Sequence, residues 1–219
     1  VHTAFEEGNS IWYFRAFDYV GVDSETGAPR FRNREGKIVN SSELTDEDMT
    51  DIGSAIPKFT YGITINLEYK GFDFTAFGTG VAGNKIFNIL YRADSPLRNS
   101  LRYYMDNAWT PENKGASMPA PSQVATDLNF WGSSASMFNG SYFKIKQLQL
   151  GYTLPKRLTQ KVAIKDLRFF VSLDDFFTFS NYPGMDPETA TTGNNGGAGF
   201  DIGSYPTMKK CSFGASFSF

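Results

Sequence analysis

The sequence predicts an all-β fold of about six antiparallel strands that cross a membrane, and three observations predict it. First, the final strand alternates: Cys211, Phe213, Ala215, Phe217 and Phe219 hold the odd positions, and Lys210, Ser212, Gly214, Ser216 and Ser218 the even ones. Side chains alternate across a strand, so one face is apolar and the other small and polar. Terminal residues of soluble domains usually fray in water, whereas a barrel strand can set one face in lipid and the other toward the lumen to its very end. Second, Phe59, Tyr61, Ile63, Ile65, Leu67 and Tyr69 alternate without interruption with Thr60, Gly62, Thr64, Asn66 and Glu68. That run has the roughly 9–11 residues a tilted membrane strand needs, with aromatic residues at both ends. Third, connections alternate between long and short, the plan of outer-membrane barrels.

The elements follow in order. The first strand is expected over Ile11 to Val22, rich in aromatics but irregular in phase. The second and third, Phe59–Tyr69 and Phe72 to about Ala82, form a hairpin across Lys70-Gly71, where glycine supplies the turn. The fourth runs from Ser141 to Thr153. Its apolar residues shift from odd (Phe143, Ile145) to even (Leu148, Leu150, Tyr152), which predicts a β-bulge near Lys146–Gln147. The fifth, Asp166 to about Phe177, places Leu167, Phe169, Val171 and Leu173 on one face, and the sixth is Met208–Phe219. Long connections span Asp23–Lys58, Gly83–Gly140 and Thr178–Thr207, and the segment Leu154–Lys165 joins strands four and five. A short helix is expected within Pro96–Trp109, and a mobile glycine-rich tip at Asn194–Gly199.

Composition agrees with a β-rich chain. Aromatics reach 16%, with 21 Phe, and charged residues are 20%. No run of about 18 apolar residues exists, so no transmembrane helix is predicted; barrels escape such scans because every second residue is polar. The net charge of −2 points to neither nucleic acid nor anionic lipid. Cys211 is alone, which rules out an internal disulfide, and its place on the apolar face predicts a packing role. The sole histidine, His2, leaves no Ser-His-Asp or Cys-His set. Asp174 and Asp175 are neighbours on a strand and so face opposite ways. No phosphate-binding glycine loop is present, and the chain reads as a non-enzyme without cofactor.

Six strands do not close a lumen, and open edges in lipid are costly, so the chain reads as one arc of a larger barrel. With long loops outside, the last strand runs toward the periplasm. Particular runs then become recognisable: Ile52-Gly53-Ser54-Ala55-Ile56-Pro57-Lys58-Phe59, Tyr69-Lys70-Gly71-Phe72-Asp73, Gly80 to Asn88, Trp109-Thr110-Pro111-Glu112-Asn113, Ser141 to Pro155, Asp186-Pro187-Glu188, Tyr205-Pro206 and the final Phe219. In this order they resemble the late barrel of SusC-like TonB-dependent transporters of Bacteroidetes.

The resemblance implies that residues 1–219 form the C-terminal arc of a barrel of about 22 strands, with long extracellular loops and short periplasmic turns. The plug and TonB box would lie upstream of Val1. It implies an outer-membrane importer of bulky nutrients, glycans or peptides, working with a SusD-like surface lipoprotein and the TonB complex. A soluble β-sandwich binding module is the alternative. Candidate contacts to substrate or lipoprotein lid are the loop aromatics Tyr91, Tyr103, Tyr104, Trp109, Phe130 and Trp131, although packing of the loops on themselves is the plainer role. Phe217 and Phe219 are the candidate assembly signal. Related proteins often carry an Asp-x-Asn-x-Asp-Gly loop; here Phe31-Arg32-Asn33-Arg34-Glu35-Gly36 replaces it, so no metal is assigned to the acidic 31–51 segment.

Overall fold

The structure is a computed structural model that describes residues 2–4, 6–11, 13–88, 102–159, 164–192 and 198–219. In chain order its strands are β1 (His2–Ala4), β2 (Tyr13–Ala16), β3 (Asp18–Val22), β4 (Pro29–Arg32), β5 (Ile38–Asn40), β6 (Thr50–Ser54), β7 (Phe59–Tyr69), β8 (Phe72–Ala82), β9 (Lys85–Asn88), β10 (Met137–Asn139), β11 (Tyr142–Thr153), β12 (Asp166–Ser180), β13 (Phe200–Asp201) and β14 (Lys210–Ser218). Short helices are α1 (Arg102–Asn107), α2 (Pro121–Val124), α3 (Leu128–Trp131), α4 (Lys156–Thr159) and α5 (Pro187–Thr192). The chain divides into two compact units. A loop unit comprises Val1–Pro57, Gly83–Gly140 and Tyr182–Tyr205; a sheet unit comprises Lys58–Ala82, Ser141–Asn181 and Pro206–Phe219.

The sheet unit is one antiparallel sheet in the order β14-β12-β11-β8-β7. β7 and β8 pair without interruption from Phe59↔Ala82 to Tyr69↔Phe72. Lys70 and Gly71 both take positive φ, 48° and 88°, the two-residue turn that matches strand twist. The expected bulge is present: in both of its pairings β11 shifts register between Ile145 and Gln147. Phe143 and Ile145 therefore share a face with Leu148, Leu150 and Tyr152. β12 shares the irregularity, with Asp175 at φ 55°, and the Lys146 ammonium lies 2.8 Å from the Asp175 carboxylate.

Five strands form this sheet, not six. The expected first strand divides into β2 and β3, which belong to different small sheets of the loop unit. Its irregular phase has a plain cause: Tyr13, Phe14, Ala16 and Phe17 are all buried, so both faces are covered and the period of two is lost.

Three small sheets, β1-β2-β6, β3-β4-β5 and β10-β9-β13, organise the loop unit. Its largest core gathers Phe17, Phe31, Tyr104, Val124, Phe130 and Trp131; a second joins Phe14, Ala55 and Phe87; a third joins Ile86, Tyr182 and Ala190. Asp127 caps α3 by accepting the backbone N–H groups of Asn129 and Phe130, and also accepts from the Ser41 hydroxyl at 2.8 Å. The long connections thus have secondary structure and cores of their own. α1 falls inside the expected helix; residues 96–101, and most of the expected glycine-rich tip, lie outside the described residues. No helix among the described residues is long and apolar enough to cross a membrane.

Candidate membrane belt and polar wall

Strand register sorts the sheet unit into two unlike faces. One carries Phe59, Tyr61, Ile63, Ile65, Leu67 and Tyr69 from β7; Phe72, Phe74 and Ala76 from β8; Phe143, Ile145, Leu148, Leu150 and Tyr152 from β11; Leu167, Phe169, Val171 and Leu173 from β12; and Cys211, Phe213 and Phe217 from β14. This face is bare: Ile65 is 46%, Phe59 63% and Phe213 82% exposed. Soluble monomers rarely expose an apolar surface of this extent. Cys211 lies on the expected face but is exposed rather than packed.

Aromatic residues band both ends. At one end Phe59, Tyr61, Phe143 and Phe179 form a ladder of near-parallel rings, with successive centroids 5.6, 5.8 and 6.4 Å apart. The ladder crosses β8 at Gly78 and Gly80, where a Cβ would stand 2.5 Å from the Phe143 and Tyr61 rings. Here glycine is needed for room. At the other end Phe72 and Tyr152 meet at 4.5 Å, beside Tyr69, Phe169 and Phe217. From the Tyr61 row to the Tyr69 row a strand tilted by roughly 40° rises about 20 Å, close to the apolar band of barrel proteins.

The opposite face is mainly polar: beside Phe77 and Phe170 it carries Thr64, Asn66, Asp73, Thr75, Thr79, Lys144, Gln147, Gln149, Arg168, Ser172, Asp174 and Ser212. The Arg168 guanidinium binds Asp73 through two hydrogen bonds, the Nε one at 2.9 Å. This pair spans the intervening strand β11 above Gly151, where a Cβ would meet the carboxylate at 2.4 Å and the guanidinium at 2.5 Å. Arg168 also lies 5.1 Å from the Phe170 ring centre, and Phe170 in turn covers Gly214. Lys144 is fully buried and reaches the Thr207 hydroxyl at 3.2 Å. Near the β7–β8 turn an open depression of about 710 Å³ is lined by Asn66, Glu68, Asp73, Thr75, Thr153 and Arg168 among others. The Asp73–Arg168 pair was not singled out from sequence; the available signal was that both sit at polar positions of alternating strands.

The loop aromatics fall into different places. Tyr104, Phe130 and Trp131 are buried in the loop unit's own core, the plainer of the two roles open to them. Tyr104 donates to the Pro119 carbonyl at 3.3 Å, and burial pushes its phenol above the usual range. Trp131 donates to the Val124 carbonyl at 2.7 Å, and Phe130 meets Trp131 edge-on at 5.0 Å. Trp109 covers Gly27 and donates to the Ser24 carbonyl at 3.0 Å. Tyr103 keeps 38% exposure while its ring meets Phe138 edge-on. Tyr91 lies outside the described residues.

The 31–51 segment is held by internal bonds. Phe31 is fully buried, and the Asn33 side chain accepts the backbone N–H groups of Glu35 and Lys37. Glu35 pairs with Lys37, and Arg34 with Glu47. Backbone N–H groups of Thr45 and Arg34 hold the Asp48 carboxyl below the usual carboxylate range. Phe217 and Phe219 are exposed, their rings edge-on at 5.6 Å.

A sheet with one bare apolar face between aromatic bands, one polar face and a separately packed loop unit defines a stretch of membrane barrel wall. Known proteins agree. Over 97% of its length the chain is 31% identical to TonB-dependent receptor P3 of Formosa agariphila and 26% identical to TonB-dependent receptor P26 of the same organism. It spans 22% and 23% of their lengths, so it matches about a fifth to a quarter of these relatives. No family model matches the chain. Among solved structures, the RagAB peptide transporter superposes with TM-score 0.75 at 24% identity, over 94% of this chain and 23% of that one. The RagAB peptide importer in its open-open state gives 0.77 at 21% identity, over 100% of this chain and 24% of that one. These structures match in fold, an arc of an all-β barrel wall. The resemblance to TonB-dependent receptors therefore holds along nearly the whole chain.

Proposed function

We propose that this chain is the barrel-wall and loop segment of an outer-membrane, TonB-dependent importer of bulky nutrients. The observation that carries the reading is the segregation of the sheet into a lipid-facing apolar belt and a polar wall. Strand ends that bear the long connections face the exterior, and the Lys70-Gly71 turn faces the periplasm. Relatives named as TonB-dependent receptors and a fold neighbour named as a peptide transporter support transport rather than catalysis. The cargo class is glycan or peptide, and a SusD-like lipoprotein covers the exterior opening. Tyr103 and Trp109 remain as contact residues toward cargo or lid. Phe217 on β14 and Phe219 beside it act as an assembly signal. A soluble β-sandwich is not favoured, because it would hide the apolar face that is bare here.

The test is charge placed on each face. Ile65→Arg should destabilise the membrane-inserted barrel by about 2–4 kcal/mol, while Thr64→Arg, on the polar face, should have a mild effect. Heat-modifiable mobility on gels and urea unfolding in lipid vesicles report both. Equal effects at the two positions would mean that neither face meets lipid.

A further inference from the structure

The net charge conceals a division. The loop unit holds 10 Lys and Arg against 18 Asp and Glu; the sheet unit holds 11 against 5. Within the sheet unit, cations gather where the two shorter connections leave the sheet. Lys70 occupies the β7–β8 turn, Lys156 and Arg157 lie on α4, and Lys165 closes the segment before β12; all four are exposed. No Asp or Glu occurs from Leu154 to Lys165.

Backbone bonds bring these positions to one edge. Thr153 N–H donates to the Gly71 carbonyl at 2.7 Å, Leu154 to the Leu167 carbonyl at 2.9 Å, and Lys165 to the Ser218 carbonyl at 2.8 Å. The row therefore runs from the β7–β8 turn to the end of β14. The carboxylates at this edge are Glu68, Asp73 and Asp166. Asp73 is committed to Arg168, which leaves two carboxylates against four cations. The row also borders the apolar belt: the Lys70 ammonium lies 5.1 Å from the Tyr69 ring centre, and Leu158 on α4 is half exposed beside the cations of that helix.

Resting on the membrane reading above, we infer that this edge binds the phosphate headgroups of anionic phospholipids in the leaflet at the turn end. A layer that touches both a lipid belt and the cations just beyond it is the headgroup layer, and its phosphates supply the opposite charge. The stems of Lys and Arg lie along apolar surface while their heads reach the phosphates. Attraction between such cations and an anionic surface amounts to about 1 kcal/mol each and weakens within a Debye length as salt rises.

The probe is the intact barrel protein carrying this chain, reconstituted in nanodiscs of phosphatidylcholine and phosphatidylglycerol in equal parts. Lipid retained on the protein is counted by native mass spectrometry. The natural protein should retain phosphatidylglycerol at about fivefold or more over phosphatidylcholine at low salt. K70Q/K156Q/R157Q/K165Q should bring that ratio close to one, with an unchanged thermal midpoint in pure phosphatidylcholine. K209Q/K210Q, at the other end of the sheet, should leave it intact. A natural protein without preference, a quadruple variant that retains its phosphatidylglycerol preference, or loss of preference in K209Q/K210Q overturns the inference. Failure here with Ile65→Arg still harsher than Thr64→Arg leaves the membrane reading standing; equal effects of those two substitutions remove it.

Discussion

The two units spend similar aromatic side chains in opposite ways. In the loop unit Phe14, Phe31, Tyr104 and Phe130 are buried; Phe14 meets Phe200 edge-on, and Phe31 and Phe130 both meet Tyr19 edge-on. In the sheet unit Phe59, Phe169, Phe213 and Phe217 stand exposed along one face. The first pattern is a water-soluble core, where each ring is removed from solvent by its own chain. The second is unfinished without another apolar phase. Burial alone cannot tell a well-folded segment from a poor one; the surrounding solvent must be named first.

The sharpest way to break this comparison is to delete a ring in each unit. Phe130→Ala should destabilise the loop unit by about 3–5 kcal/mol through lost burial and a cavity. Phe213→Ala, on the bare face, should have a small effect. Limited proteolysis of the intact barrel in detergent, followed over temperature, separates them. Comparable losses would show that Phe213 is packed against protein rather than lipid.

A smaller effect is expected at Gly151. Its missing side chain is what lets Asp73 and Arg168 join across β11. Gly151→Ala should cost about 1–3 kcal/mol by forcing those groups apart. Asp73→Asn combined with Gly151→Ala should cost less than the sum of the two, because both act on the same contact. Strict additivity in urea unfolding would separate the glycine from the ion pair.

The smallest expected effect concerns pH and the loop unit alone. Arg30, and then the Thr26 hydroxyl and N–H, hold the Asp23 carboxyl well below the usual carboxylate range. A depressed folded value stabilises the fold above the unfolded value of about 3.9, and the contribution is lost as pH falls further. Asp23→Asn should therefore lower stability at pH 7 and leave a narrower gap from the natural protein at pH 3. An equal loss at both values would assign the effect to hydrogen bonding rather than charge.

Reading the sequence by period worked where one face of a strand is uniform. β7 and β14 were legible because apolar and polar residues alternate without a break, and the bulge in β11 because the break itself is systematic. It failed over Ile11–Val22, where Tyr13, Phe14, Ala16 and Phe17 are buried on both faces and no period survives. The loop aromatics were visible as residues, but sequence does not say which rings a connection keeps for its own core. Tyr104, Phe130 and Trp131 went inward, while Tyr103 stayed partly outside. The cation row escaped because a net charge near zero sums two opposed regions; it emerges only once the units are separated.

The bulge at Lys146 has a consequence for how this wall tolerates changes in length. Elsewhere along β11, gaining or losing one residue would turn every side chain beyond it to the wrong face. At Lys146 the strand already absorbs an odd residue: Ile145 and Leu148 are three apart yet face the same way. On β12, Leu173 and Phe177 are four apart and also agree, so that strand keeps its parity through the same irregularity. This is therefore the point in the wall where sequence length and side-chain facing are uncoupled. Barrels of this kind compared residue by residue should fall out of step by single positions here, and remain in step on either side.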